Sequence, residues 1–158
     1  MSDLTHLDAD GNARMVDVSE RDVTDRASTA VGFVALQPTT VAAIRNAAVP
    51  KGDVLSTARI AGIMAAKRTS ELIPLCHPIA ITFADVSLQV VDMGVEIAAD
   101  VRIKDRTGVE MEALTAVAVA GLTIIDMVKS MDPGASLTEV RVVKKSGGRS
   151  GVWTNDKL

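Results

Sequence analysis

One run constrains this chain more than any other. Ala113 to Ile125 carries no charge and is built from Ala, Val, Leu, Ile and Thr with a single glycine. Glu110 and Glu112 stand before it, Asp126 and Lys129 after it. At ~1.5 Å per residue, Val109 to Met131 makes a long helix, yet its uncharged part falls short of the ~20 residues that span a bilayer. A helix apolar nearly all round is a core helix. At about 100° per residue, Glu112, Thr115, Asp126 and Lys129 fall on one side as a thin polar seam. The macrodipole accounts for Glu110 and bears on Glu112 in the same way. It leaves Asp126 unexplained, because an acid near a C-terminus opposes the dipole. Asp126 and Lys129 share a face, and that makes the pair a functional candidate.

The rest of the chain must cover this helix. At 158 residues it reads as one domain over 1–158, large enough for a real core. Aromatics are only 2% of the residues (Phe33, Phe83 and Trp153), so the core must be aliphatic. A net charge of −3 argues against general nucleic-acid binding. The single cysteine, Cys76, excludes an intrachain disulfide framework and a cysteine-based zinc cluster. The start, M-S-D-L-T-H, has neither a basic nor an apolar leader region, so a cytoplasmic protein without membrane partners is expected.

In chain order, residues 1–28 form a polar arm with a turn signal at Asp10-Gly11, flanked by L-T-H-L and M-V-D-V as possible short strands. Ser28 to Gln37 reads as a strand, and Pro38 opens a short helix to Asn46. Asp53 is the expected N-cap of a helix from Val54 to Arg68, with Ile60, Ile63 and Met64 as its apolar stripe. A turn at Thr69 to Ile73 leads into Pro74-Leu75-Cys76-His77-Pro78, a loop stiffened by two prolines. Ile79 to Val91 and Val95 to Lys104 are two strands of a hairpin. The second alternates Val95, Ile97, Val101 and Ile103 inward against Glu96, Asp100, Arg102 and Lys104 outward. Asp132-Pro133-Gly134 stops the long helix. Leu137 to Lys145 is the last strand, and residues 146–158 are a glycine-rich flexible tail. The order β-α-β-β-α-β predicts an α+β, ferredoxin-like fold: a four-stranded antiparallel sheet with helices on one face, preceded by the arm.

His77 sits in the stiffened loop, which favours a positioned imidazole over a core histidine. A metal site is not expected, because adjacent Cys76 and His77 chelate poorly and have no Cys or His partners elsewhere. Lys51, Lys144, Lys145 and Arg149 lie in or beside glycine-containing loops, where backbone N–H groups next to lysine make an anion cradle. A lysine beside an aspartate on an apolar helix, as at Lys129, can act as general acid or base. Glu112 and Asp126 are about 21 Å apart along one helix. One small molecule cannot touch both, so a shared site requires two chains with these helices antiparallel across a two-fold. Ala116, Ala118, Ala120 and Gly121 permit that approach.

Five motifs then carry a resemblance over about Leu4 to Gly151: K-G-D-V-L-S-T-A-R-I-A-G-I-M-A-A-K-R-T from Lys51, L-I-P-L-C-H-P from Leu72, G-V-E-M-E-A-L-T from Gly108, D-M-V-K from Asp126, and K-S-G-G from Lys145. Together they resemble the cyclic pyranopterin monophosphate synthase family of molybdenum-cofactor biosynthesis. The resemblance implies a ferredoxin-like lyase that converts 3′,8-cyclo-7,8-dihydroguanosine 5′-triphosphate to cyclic pyranopterin monophosphate and diphosphate, with no cofactor. It also implies a homohexamer, a trimer of dimers with sites between subunits. It assigns catalysis to Asp126, Lys129 and Lys145, and substrate binding to Leu75, Cys76, His77, Met111, Glu112, Lys51 and Arg26. A non-catalytic, ligand-sensing module on the same fold is the alternative.

Overall fold

The computed structural model describes residues 6–149 and 151–155. Leu4 and Thr5 of the arm's first flank, Ser150, and 156–158 of the tail lie outside the described residues. The elements are β1 (Thr24–Ala35), α1 (Pro38–Arg45), α2 (Val54–Ala66), α3 (Thr69–Leu72), β2 (Ile81–Val91), β3 (Gly94–Asp105), α4 (Glu110–Val128), β4 (Ser136–Ser146) and β5 (Trp153–Thr154). The sheet runs β2-β3-β1-β4-β5, and every pairing is antiparallel. Its first four strands with α2 and α4 form the expected ferredoxin-like unit.

Alternation builds the core from the sheet side. Ala30 and Val34 of β1, and Val95, Ile97, Ala99, Val101 and Ile103 of β3, point inward and are buried. Glu96, Arg102 and Lys104 are exposed and Asp100 is half-buried, as the pattern predicted. Helix α4 packs on β1, β3 and β4, and α2 packs on β2 and beside α4. By length and composition α4 could cross a membrane. Its Ala113, Ala116, Val117, Ala120, Ile124 and Val128 instead sit in the core with almost no exposure. Burying each Val or Ile contributes about 1.5–3 kcal/mol.

Three expectations need correction. Of the expected α2 stripe only Ile63 packs against the core, and it is partly buried. Ile60 is 60% and Met64 47% exposed, while Ala58, Gly62, Ala65 and Ala66 are buried. Small residues win that face because the two helices lie close: a Cβ on Gly62 would stand 2.9 Å from the Ala116 carbonyl and 3.1 Å from Val86 Cγ2. The segment at 69–73 is not a bare turn, since Thr69–Leu72 form α3 and the buried Thr69 hydroxyl donates to the Ala66 carbonyl at 3.0 Å. The tail is not wholly flexible either, because Trp153 and Thr154 pair with Lys145 and Lys144 and add a fifth strand.

Other sequence signals were met. Asp53 caps α2, its Oδ1 accepting from the Ser56 N–H at 2.9 Å. Asp132, past the end of α4, is buried, and its Oδ2 accepts from the Gln37 N–H at 2.7 Å, pinning the start of α1. In the arm, the Asp10-Gly11 turn closes an isolated bridge between Leu7 and Ala13 in place of two strands.

Candidate active site

The two ends of α4 carry two separate clusters. At the C-terminal end, Asp126 stands between two lysines. Lys129 Nζ donates to Oδ1 at 2.6 Å, and Lys51 Nζ donates to Oδ2 at 2.8 Å. Lys51 also donates to the Asp126 backbone carbonyl at 2.9 Å, one of the last-turn carbonyls that lack an intrahelical partner. The misplaced acid is thereby explained: two cations outweigh the unfavourable dipole. The Lys129 hydrogen bond, then the Lys51 one, hold the Asp126 carboxyl down at about 2. All three side chains are exposed, Lys129 by 60%. The polar seam of α4 is therefore uneven: Glu112 and Thr115 are buried, Asp126 and Lys129 are not.

At the N-terminal end, Leu75, Cys76, His77, Met111 and Glu112 line one cleft of about 210 Å³. Val16, Val18 and Arg21 of the arm complete it. The two-proline loop sets the imidazole, and His77 Nε2 lies 2.8 Å from the Val16 carbonyl. A carbonyl only accepts, so Nε2 carries the proton. Glu112 is 3% exposed. Burial, and to a lesser degree its neighbour Glu110, push its carboxyl up to about 7. Burial first and the Glu112 carboxylate second push the Cys76 thiol up as well, so Cys76 is a poor nucleophile and a plain lining group.

A second cleft of about 140 Å³ shares Gly108 and Glu110 with the first and is bounded by Arg26, Lys145 and Gly147. Lys145 Nζ donates to Glu110 Oε1 at 3.0 Å. Glu110, which the helix dipole alone seemed to explain, is thus the partner of a candidate catalytic lysine. Nothing in its helical position signals that contact, because Lys145 arrives from the far end of β4. The arm's share of the cleft was equally invisible in sequence, since it rests on the backbone of Val16.

Of the ten residues singled out from sequence, seven gather around the start of α4: Arg26, Leu75, Cys76, His77, Met111, Glu112 and Lys145. Lys51, Asp126 and Lys129 gather at its end. Along α4, Glu112 of the first group and Asp126 of the second are about 21 Å apart. Among the described residues no cluster of His, Cys, Asp and Glu has the makings of a metal site.

Comparison with known proteins bears on this arrangement. The MoaC family model matches residues 15–148, which hold every residue of both clusters. A cyclic pyranopterin monophosphate synthase of Streptomyces coelicolor is 60% identical over 151 residues, covering 96% of this chain and 89% of its own length. Cyclic pyranopterin monophosphate synthase 2 of Mycobacterium tuberculosis H37Rv is 55% identical over 152 residues, covering 96% and 91%. The Thermomicrobium roseum synthase is 52% identical over 158 residues, covering 99% and 95%. With likeness of this extent enclosing both ends of α4 and the loops that meet them, the chain belongs to the MoaC family.

Proposed function

We propose that this chain is a cyclic pyranopterin monophosphate synthase, a lyase of molybdenum-cofactor biosynthesis. Its substrate is 3′,8-cyclo-7,8-dihydroguanosine 5′-triphosphate, and its products are cyclic pyranopterin monophosphate and diphosphate. The observation that carries the reading is the Asp126 carboxylate gripped by Lys51 at 2.8 Å and Lys129 at 2.6 Å. Two ammonium groups on one carboxylate leave one positive charge in excess. Either lysine can therefore release a proton and leave a neutral ion pair behind. Rebuilding a purine ring as a pterin consists largely of proton transfers. Lys129 serves as the general acid/base and Asp126 orients it.

Closing the cyclic phosphate joins an alcohol oxygen to the phosphorus that bears diphosphate. The alcohol proton passes to a base, and the electron pair of the breaking P–O bond leaves with diphosphate. Lys51 and Lys145 offset the charge that gathers on the leaving group. Leu75, Cys76, His77, Met111 and Glu112 hold the ring system in the 210 Å³ cleft.

Each pocket is completed by a second copy of the chain, within a homohexamer built as a trimer of dimers. The two clusters are about 21 Å apart along α4, too far for one small substrate. Between them the helix pair leaves Ile60, Met64 and Leu122 exposed by 60%, 47% and 58%, an apolar strip of the kind that subunit contacts cover. The whole chain acts as one catalytic domain, working on a soluble nucleotide-derived substrate in the cytoplasm.

The test is direct. Purified protein supplied with the cyclised triphosphate should release diphosphate and form the cyclic monophosphate in equal amounts. No diphosphate above the enzyme-free control would end the reading.

A further inference from the structure

Arg26 lies on β1 opposite Ile103 of β3. Its Nε donates to the Asp105 carbonyl at 3.1 Å, and its Nη2 donates to the Arg106 carbonyl at 3.1 Å. Asp105 is the last residue of β3, and Arg106 starts the loop that feeds Gly108 and Glu110. The same side chain meets the K-S-G-G loop after β4. A Cβ on Gly148 would lie 2.5 Å from Arg26 Nη1, and one on Gly147 would lie 3.0 Å from Arg26 Cγ. Gly147 and Gly148 have φ of +95° and +66°, a conformation that side chains disfavour, and a side chain at either would also press on Arg26. Arg106 extends the chain of contacts, its Nε donating to the Arg21 carbonyl of the arm at 2.8 Å.

Arg26 Nε and one N–H of Nη2 are engaged by the two protein carbonyls, which fixes the plane of the guanidinium against the end of β3. Resting on the synthase reading above, we infer that Arg26 is a positioning residue: it clasps the β3–α4 loop to the K-S-G-G loop and so sets Glu110 and Lys145 against each other. A lysine cannot replace it, because one ammonium on a flexible stem does not reproduce a planar fork across two carbonyls.

The experiment compares Arg26→Lys, Arg26→Met and Gly148→Ala with the wild-type protein. Steady-state kinetics on the cyclised triphosphate would be paired with amide hydrogen exchange at residues 105–109 and 146–149. The clasp predicts that all three variants lose about tenfold in kcat through misplacement of Lys145. It predicts KM within about twofold of wild type, since no ground-state contact is removed. Exchange should quicken in both loops together, and Arg26→Lys should give no rescue. A KM raised about tenfold in Arg26→Met, restored by Arg26→Lys with exchange unchanged, would overturn the clasp in favour of a phosphate ligand. Gly148→Ala keeps the arginine and its charge, so the clasp stays open to disproof even if Arg26→Met does not fold. Should the wild-type protein turn over no substrate, the synthase reading fails by itself. The exchange pattern of Arg26→Lys then still decides the clasp: coupled quickening supports it, and unchanged loops refute it.

Discussion

The two ends of α4 do opposite things with charge. At its start a carboxyl is taken out of water: Glu112 is 3% exposed, has no ion-pair partner among the described residues, and titrates near 7. At its finish a carboxylate stays in water: Asp126 is half exposed, doubly bonded to lysines, and titrates near 2. One pole is a walled cleft, and the other is an ion cluster open to solvent. An ion pair in water contributes little to stability, and general acid/base groups work best away from bulk solvent. The open pole therefore makes chemical sense only when something covers it, and the exposed apolar strip beside it supplies a surface for that cover.

The largest effect should come from breaking the open pole. Lys129→Ala removes the proposed acid/base and should cost about 10³-fold in kcat, within the usual span for such groups. The fold should persist, because the side chain is 60% exposed. Steady-state turnover with circular dichroism on the same sample checks both halves. Turnover at the wild-type rate would strip Lys129 of its role.

Next in size is the regain of activity when defects at opposite poles are mixed. Lys129→Ala and Lys145→Ala should each be nearly inactive. Unfolded together and refolded as an equimolar mixture, they should recover about a quarter of wild-type activity, because half the pairs are mixed and each mixed pair has one intact site. A site housed within one chain would recover nothing.

The closed pole has its own signature in stability against pH. A carboxyl whose folded value lies above its unfolded value keeps its proton longer in the native state. Stability is then greatest below the ordinary 4.5 and declines as pH rises through about 7. The full decline is about 3 kcal/mol. Glu112→Gln should flatten it, leaving the variant more stable than wild type at pH 8 and nearly equal at pH 4. Denaturant melts across that range would show it. A wild-type slope that survives the substitution would mean the carboxyl is solvated after all.

Much of this contrast could be read from the chain alone. The uncharged run announced a core helix, and the dipole argument singled out Asp126 without any structure. The strand alternation of β3 was legible because one face is buried and the other wet. The apolar stripe of α2 misled, because hydrophobicity scales rank Ile and Met above Ala and Gly. Close helix packing here selects by size, so Gly62 and its alanine neighbours took the interior. The evenness of the polar seam failed for a similar reason: angular position on α4 is local, whereas burial depends on what the rest of the fold brings up. The arm and the two-proline loop line the cleft beside Glu112, and among the described residues nothing buries Asp126. Arg26, Arg106 and the Val16 carbonyl act through long-range backbone contacts that leave no local pattern.

The smallest expected effect tests that cover directly. Asp126 has a folded value near 2 against an ordinary 3.8. Its contribution is present above 3.8 and is lost as pH falls toward 2. In an open cluster the contribution would be slight and would fade in about 1 M salt, where the screening length is about 3 Å. Under a second subunit the same ion pairs are shielded from salt. The assembled protein should therefore show a melting-temperature difference between wild type and Asp126→Asn at pH 6 that persists in high salt and vanishes near pH 2. In protein diluted until it dissociates, the difference at pH 6 should disappear on adding salt. A difference that salt abolishes in both states would leave the open pole open, and the contrast between the two ends of α4 would then belong to the finished enzyme as well as to the single chain.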